Sequence, residues 1–159
     1  MKETTRKLEQ LINSGQAYLS HASEEELCKK SSTEKWSKKE ILGHLIDSGI
    51  NNLQRFTEIQ FENKPYKIKK YNQDALVIAN NYQNASPQEL AEFWLSVNNR
   101  IKNIIESQTE VTLNYAIELG DENFSDLRFL INDYVEHLEH HLNQIKNTNY
   151  SENTLASAN

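Results

Sequence analysis

The sequence predicts an all-α fold, a four-helix bundle with a short extra helix between the second and third long helices. Three observations carry that prediction. Apolar residues recur at spacings of three and four in four separate segments, the period of a helix that buries one face. Capping signals stand immediately before three of those segments. The 159 residues include only four Gly and two Pro, too little material for the tight turns of an all-β fold.

The first segment, about residues 3 to 20, carries Leu8, Leu11, Ile12, Gly15, Tyr18 and Leu19 on one stripe. The second is announced by "WSKKEI". Ser37 can cap, Glu40 stands three residues on to complete a capping box, and Trp36 and Ile41 can form a hydrophobic staple. This helix is expected from Lys38 to about Gln60, with Ile41, Leu42, Leu45, Gly49, Leu53 and Phe56 on its buried side. "ENKPYKIKKYN" reads as a loop, and "DALVIANNYQ" after it as the short extra helix, with Ala75, Ile78, Ala79 and Tyr82 sharing a face. In "SPQEL", Ser86 caps, Pro87 takes the first helical position and Glu89 stands three after the cap. Leu90, Phe93, Val97, Ile101 and Ile104 then continue the third long helix to about Ser107. "QTEVTLNYAIELGDENF" breaks the period and is expected to be a connecting loop. Ser125 is the expected cap of the last long helix, with Phe124 and Phe129 as its staple, and that helix is expected to reach about Asn147. Residues 1–147 form a single expected domain, and 148–159 read as a polar C-terminal tail.

The size allows a substantial core without disulfides or a structural metal. A formal net charge of −6 argues against a nucleic-acid binder, which needs a basic field, and the short run "KPYKIKK" reads as a solvated loop. The single cysteine, Cys28, cannot form an internal disulfide, which fits a reducing compartment. With no apolar signal core at the start and no stretch of membrane-spanning length, the expected location is the cytoplasm, with no membrane partner.

"VEHLEHHLNQI" places three histidines within five positions of the last helix. At about 100° per residue, His137 and His141 lie about 40° apart and on the margin of the apolar face, whereas His140 points away beside Asp133 and Glu136. Two imidazoles four apart on a helix can bind one ion, although such a pair is often incidental. On the second helix, His44 heads a polar strip shared with Ser48, Asn51 and Arg55. If the second and fourth long helices are neighbours, His44, His137 and His141 supply three nitrogens and leave a fourth position open, the coordination of a catalytic zinc. Asp133 and Glu40, each one turn before a histidine, are candidates to orient those imidazoles. His21 reads as an exposed loop residue, Trp36 and Trp94 as packing anchors, and Tyr134 as core with a bonded hydroxyl.

These residues also resemble a known family. "EKWSKKEILGHLIDSGINNLQRF" is similar to the second-helix signature of the DinB/YfiT-like superfamily, in which a Trp-Ser start leads into a helix with a metal-ligating histidine. "DYVEHLEHHLNQI" is similar to its C-terminal signature, His-x-x-His-His followed by Gln-Ile. The resemblance extends over about residues 5 to 147, and the two motifs are its specific part. It implies a four-helix bundle, often dimeric, that binds a divalent metal (zinc or nickel) through His44, His137 and His141, with His140 not a ligand. It also implies, for some members, thiol S-transfer or thiol-dependent isomerisation, and the expectation for this chain is a thiol S-transferase that delivers bacillithiol or a similar low-molecular-weight thiol to an electrophilic small molecule. Asn51 and Arg55 would hold an anionic group of the thiol or substrate. The alternatives are a metal-dependent hydrolase, with Glu40, Asp47 or Asp133 as base, and a non-catalytic metal- or ligand-binding bundle of the stress response.

Overall fold

In a computed structural model, residues 1–120 and 122–147 are described; the expected tail, 148–159, lies outside them. Helix α1 (Lys2–Leu19) buries Leu8, Leu11, Ile12 and Gly15 of the expected stripe, with Tyr18 and Leu19 half-buried at its end. A five-residue helix, α2 (Glu24–Cys28), follows, too short to show a period in the sequence. Helix α3 (Lys38–Glu58) starts on the expected capping box: Ser37 Oγ accepts from the Glu40 N–H, and Glu40 Oε2 accepts from the Ser37 N–H. Its buried apolar residues are Leu42, Leu45, Ile46, Gly49 and Phe56, while Ile41 and Leu53 are only half-buried.

After strand β1 (Tyr66–Lys67) comes α4 (Gln73–Ala79), the expected short helix. Its buried residue is Val77, and Ile78 is 77% exposed, so the face expected through Ala75, Ile78 and Ala79 does not form. The reason is that α4 stops before Tyr82. The chain turns through left-handed Asn81 (φ 52°) into a 3₁₀ turn, Tyr82–Asn84, and Tyr82 is buried on a different course. Helix α5 (Pro87–Glu106) opens with Ser86 Oγ accepting from the Glu89 N–H. It buries Leu90, Val97 and Ile101 as expected, together with Trp94, Asn98 and Ile105; Phe93 is exposed and Ile104 half-buried, their expected places being taken by Trp94 and Ile105.

The expected loop between the last two long helices instead contains α6 (Glu110–Leu113), β2 (Ala116–Gly120) and β3 (Asn123–Asp126). Strand β2 is central, parallel to β1 with Tyr66 opposite Ile117 and antiparallel to β3 with Ser125 opposite Ile117. Ile117 alone in β2 is fully buried, which leaves no alternating pattern to detect. Pairing in β3 also removes Ser125 as a cap. Asp126 caps α7 (Leu127–Lys146), its Oδ1 accepting from the Phe129 N–H at 2.8 Å, and Phe124 and Phe129 are exposed rather than stapled.

Helix α1 packs against α5 and α7, and α3 also packs against α5 and α7. The order around the bundle is therefore α1, α5, α3, α7. A simple up-and-down succession would set the second and fourth long helices at opposite corners; here they are adjacent. Close approach among α1, α5 and α7 depends on Gly15, where a Cβ would stand 2.5 Å from the ring of Trp94. Tyr134 is core, as expected, and its hydroxyl donates to Asn98 Oδ1 at 2.7 Å. Among the described residues no helix is long and apolar enough to cross a membrane.

Candidate metal centre

The adjacency of α3 and α7 brings His44 together with His137 and His141. One nitrogen from each ring lies within 4.8 Å of the other two. The Nε2 atoms of His44 and His137 are 3.1 Å apart, and the three ring centroids stand 4.5 to 5.0 Å from one another. His44 is fully buried with the Trp36 ring 5.2 Å away, so Trp36 packs on the cluster itself; His137 and His141 are half-buried.

Burial dominates the protonation of all three. It lowers His44 to about 4, with His141 adding to the effect. It lowers His137 to about 3, helped by the charges His141, His44 and His140 would carry. It lowers His141 to about 4, against the opposing hydrogen bond from Gln144. At neutral pH the cluster is thus three uncharged imidazoles, the form that donates a lone pair to a metal. His141 Nδ1 stands 2.6 Å from Gln144 Oε1, which directs its proton to Nδ1 and frees Nε2. The donor set fits a divalent cation.

His140 is exposed on the outer side of α7, its ring 4.9 Å from His141. Glu40 does not orient an imidazole: its carboxylate closes the capping box and pairs with Lys30 at 2.8 Å. Asp133 lines a cleft beside His137 but makes no hydrogen bond to it. Asn51 does not line that cleft; its amide donates back to the Asp47 carbonyl, and its neighbour Asn52, about 100° round the helix, takes the cleft-lining place while its own amide donates to the Ser48 carbonyl. Arg55 is on the cleft wall, donating to the Lys69 carbonyl at 2.7 Å with the Tyr71 ring 5.6 Å away.

Two clefts reach the cluster. One, of about 770 Å³, is lined by Lys29, Trp36, Lys38, His141 and Gln144 among others. The second, of about 670 Å³, is lined by Ser48, Asn52, Arg55, Tyr71, Asp133 and His137 among others. Asp74, in the first turn of α4, lines both. Gln144 was within reach of sequence reasoning, since it stands three residues after His141 on one helix. Tyr71 and Asp74 carried no such signal, because a loop and a seven-residue helix have no usable period.

The fold is similar to solved structures. One is YfiT from Bacillus subtilis, described as "a probable metal-dependent hydrolase with an unusual four-helix bundle topology": TM-score 0.80 and 19% identity over 91% of this chain and 82% of that one. Another is the mycothiol-dependent maleylpyruvate isomerase, with TM-score 0.71 and 12% identity over 92% of this chain but 61% of that one. At these identities the likeness is one of fold. No curated protein matches the sequence significantly. The DinB superfamily pattern, however, matches residues 7–145, spanning all four long helices and the three clustered histidines, and the chain therefore belongs to the DinB superfamily.

Proposed function

We propose that the chain is a divalent-metal-dependent enzyme that transfers a low-molecular-weight thiol, bacillithiol or a related one, to an electrophilic small molecule. The observation that carries this reading is the convergence of His44, His137 and His141, with one cleft lined by His141 and another by His137. Three neutral imidazoles suit zinc or nickel and leave room for a further ligand. A cation held there supplies positive charge that lowers the pKa of a thiol or water at that position.

Arg55 supports an anionic ligand in the second cleft. Among the described residues no carboxylate stands within ion-pair distance of its half-buried guanidinium, and Asp133 acts on it only at longer range. A partly desolvated cation without a counter-charge favours an anion presented to it, and a planar fork favours a carboxylate. Lys70 lines the same cleft, while Phe129 and Leu130 give it an apolar wall. The likeness to a mycothiol-dependent isomerase supports a thiol as the co-substrate.

Hydrolysis is the second reading, supported by the likeness to YfiT and by Asp74, whose carboxylate borders both clefts and could take a proton from water. The two open clefts favour either enzymatic reading over a non-catalytic bundle. A turnover assay separates the three. Untagged protein is assayed with bacillithiol, glutathione or cysteine and a chlorodinitrobenzene electrophile, with and without Zn²⁺, Ni²⁺ or Mn²⁺, and in parallel with an activated ester and no thiol. Metal-dependent loss of thiol supports transfer. Metal-dependent ester cleavage alone supports hydrolysis. Neither, with metal bound, overturns both.

A further inference from the structure

Among the described residues, three buried side-chain polar atoms lack a hydrogen-bond partner: His44 Nδ1, Asp47 Oδ2 and Trp94 Nε1. The first two lie one turn apart on α3, in side chains that are 0% and 4% exposed. Their chemistry is complementary. Nε2 of His44 faces the cluster, 3.1 Å from His137 Nε2. If Nε2 keeps its lone pair for the cluster, a neutral imidazole must carry its proton on Nδ1, which makes Nδ1 a donor without an acceptor. Oδ2 of Asp47 is an acceptor without a donor.

The other oxygen of that carboxylate is firmly held. Asp47 Oδ1 accepts from the Tyr82 hydroxyl at 2.7 Å and from Asn80 Nδ2 at 3.0 Å. Tyr82 in turn lies flat against α3 at Gly43, where a Cβ would come within 2.1 Å of its ring. A carboxylate so anchored, with its second oxygen buried and free, is costly to keep unless that oxygen has a task. One water is enough to join polar groups that lie one turn apart on a helix. Residues three apart on a helix have Cβ atoms about 5–6 Å apart. A water with two hydrogen bonds of about 2.8 Å each bridges about 5.5 Å.

We propose that Asp47 is a positioning residue for His44: through one ordered water, Oδ2 accepts from Nδ1–H and fixes the imidazole with Nε2 directed at the cluster. This rests on the metal-binding reading above. A carboxylate behind an imidazole selects its tautomer and strengthens it as a donor to a metal. Asn at position 47 cannot do the same, because its oxygen is required by Tyr82 and Asn80 and its amide would then present hydrogens toward Nδ1.

Two measurements on the full chain test this. Histidine ¹⁵N spectra of wild type report the tautomer of His44 directly, and competition with a chromophoric chelator reports Zn²⁺ affinity. The expected wild-type result is a His44 protonated at Nδ1, with that proton slow to exchange. Asp47→Asn is expected to mix the tautomers and weaken Zn²⁺ binding by about 10- to 100-fold. A His44 protonated at Nε2 in wild type overturns the proposal, as does Asp47→Asn with the wild-type tautomer and Zn²⁺ affinity within about twofold. A purely structural Asp47 would move stability but not the tautomer. Should the variant not fold, the wild-type spectrum decides. Should wild type bind no Zn²⁺, the metal reading falls while the tautomer still decides the Asp47 link.

Discussion

Nδ1 of His141 lies 2.6 Å from Oε1 of Gln144, three residues further along α7. The amide thereby does for His141 what a carboxylate often does for a metal-bound imidazole: it occupies the proton-bearing nitrogen and leaves the other free. Replacing Gln144 by Leu keeps the bulk and removes the acceptor. Zn²⁺ affinity, measured by chelator competition, is expected to fall about tenfold while the thermal midpoint stays near that of wild type. Unchanged affinity would mean that the ring is oriented by packing alone.

The three clustered histidines and His140 are expected to separate cleanly. His44→Ala, His137→Ala and His141→Ala each remove a donor from a set whose nitrogens lie within 4.8 Å, and each should abolish stoichiometric metal in untagged protein. His140→Ala should retain it, because that ring is exposed and contributes no atom to the set. Elemental analysis after gel filtration reads this directly; metal lost only in His140→Ala would move the site by one residue around the helix.

Much of this site was legible because helices carry a period. The stripe on α1, the capping box at Ser37 and the margin positions of His137 and His141 all follow from spacings of three and four. What the spacing could not supply is which helices touch, and the meeting of His44 with His137 depends on α3 lying beside α7. Glu40 looked like a partner for His44 because it stands one turn before it, yet a helix terminus with free N–H groups and a nearby lysine claimed the carboxylate first. Asn51 and Asn52 differ by one position, about 100° of rotation, enough to put Asn52 on the cleft wall and Asn51 off it, although both amides donate back to a carbonyl of α3 one turn earlier. The three short strands carry no alternating pattern: β1 is two residues long and pairs with the distant Ile117, while β2 and β3, though a local antiparallel pair, bury only Ile117 fully.

Gly43→Ala tests the packing that anchors Asp47. Alanine is intrinsically better in a helix by about 1 kcal/mol. Against this, the new Cβ would sit 2.1 to 2.7 Å from three atoms of the Tyr82 ring, which must move and loosen its hydrogen bond to Asp47. Overpacking of this kind costs about 1–3 kcal/mol, and losing a buried hydrogen bond to a charged group costs about as much again, so net destabilisation is expected. Urea unfolding should show a lower midpoint than wild type; a higher midpoint would mean that Tyr82 is free to swing away.

Arg55→Gln should discriminate among thiols. If the guanidinium binds an anionic group, its loss removes a charge-assisted hydrogen bond, which corresponds to a rise in KM of about 10- to 100-fold for bacillithiol. The KM for uncharged 2-mercaptoethanol should stay close to wild type, because that thiol presents nothing to Arg55. An equal change for both thiols would assign Arg55 a structural role through its bonds to the Lys69 carbonyl and to Asn52.

Metal-free protein should lose stability on acidification, and the sign follows from the cluster. Burial lowers His44 to about 4, His137 to about 3 and His141 to about 4, all below the ordinary value of 6.5 that the unfolded chain restores. Between 6.5 and those lowered values the unfolded chain binds more protons than the folded one, so stability rises with pH through this window and levels off above it. Asp47 and Asp133, whose carboxyls are raised chiefly by burial, hold extra protons in the folded state and oppose the trend at its acid end. Comparing wild type with His137→Gln isolates the histidine contribution, since the glutamine cannot titrate. Urea midpoints taken at about pH 7 and about pH 5 should fall further for wild type than for the variant. Parallel declines would place the acid sensitivity outside the histidine cluster.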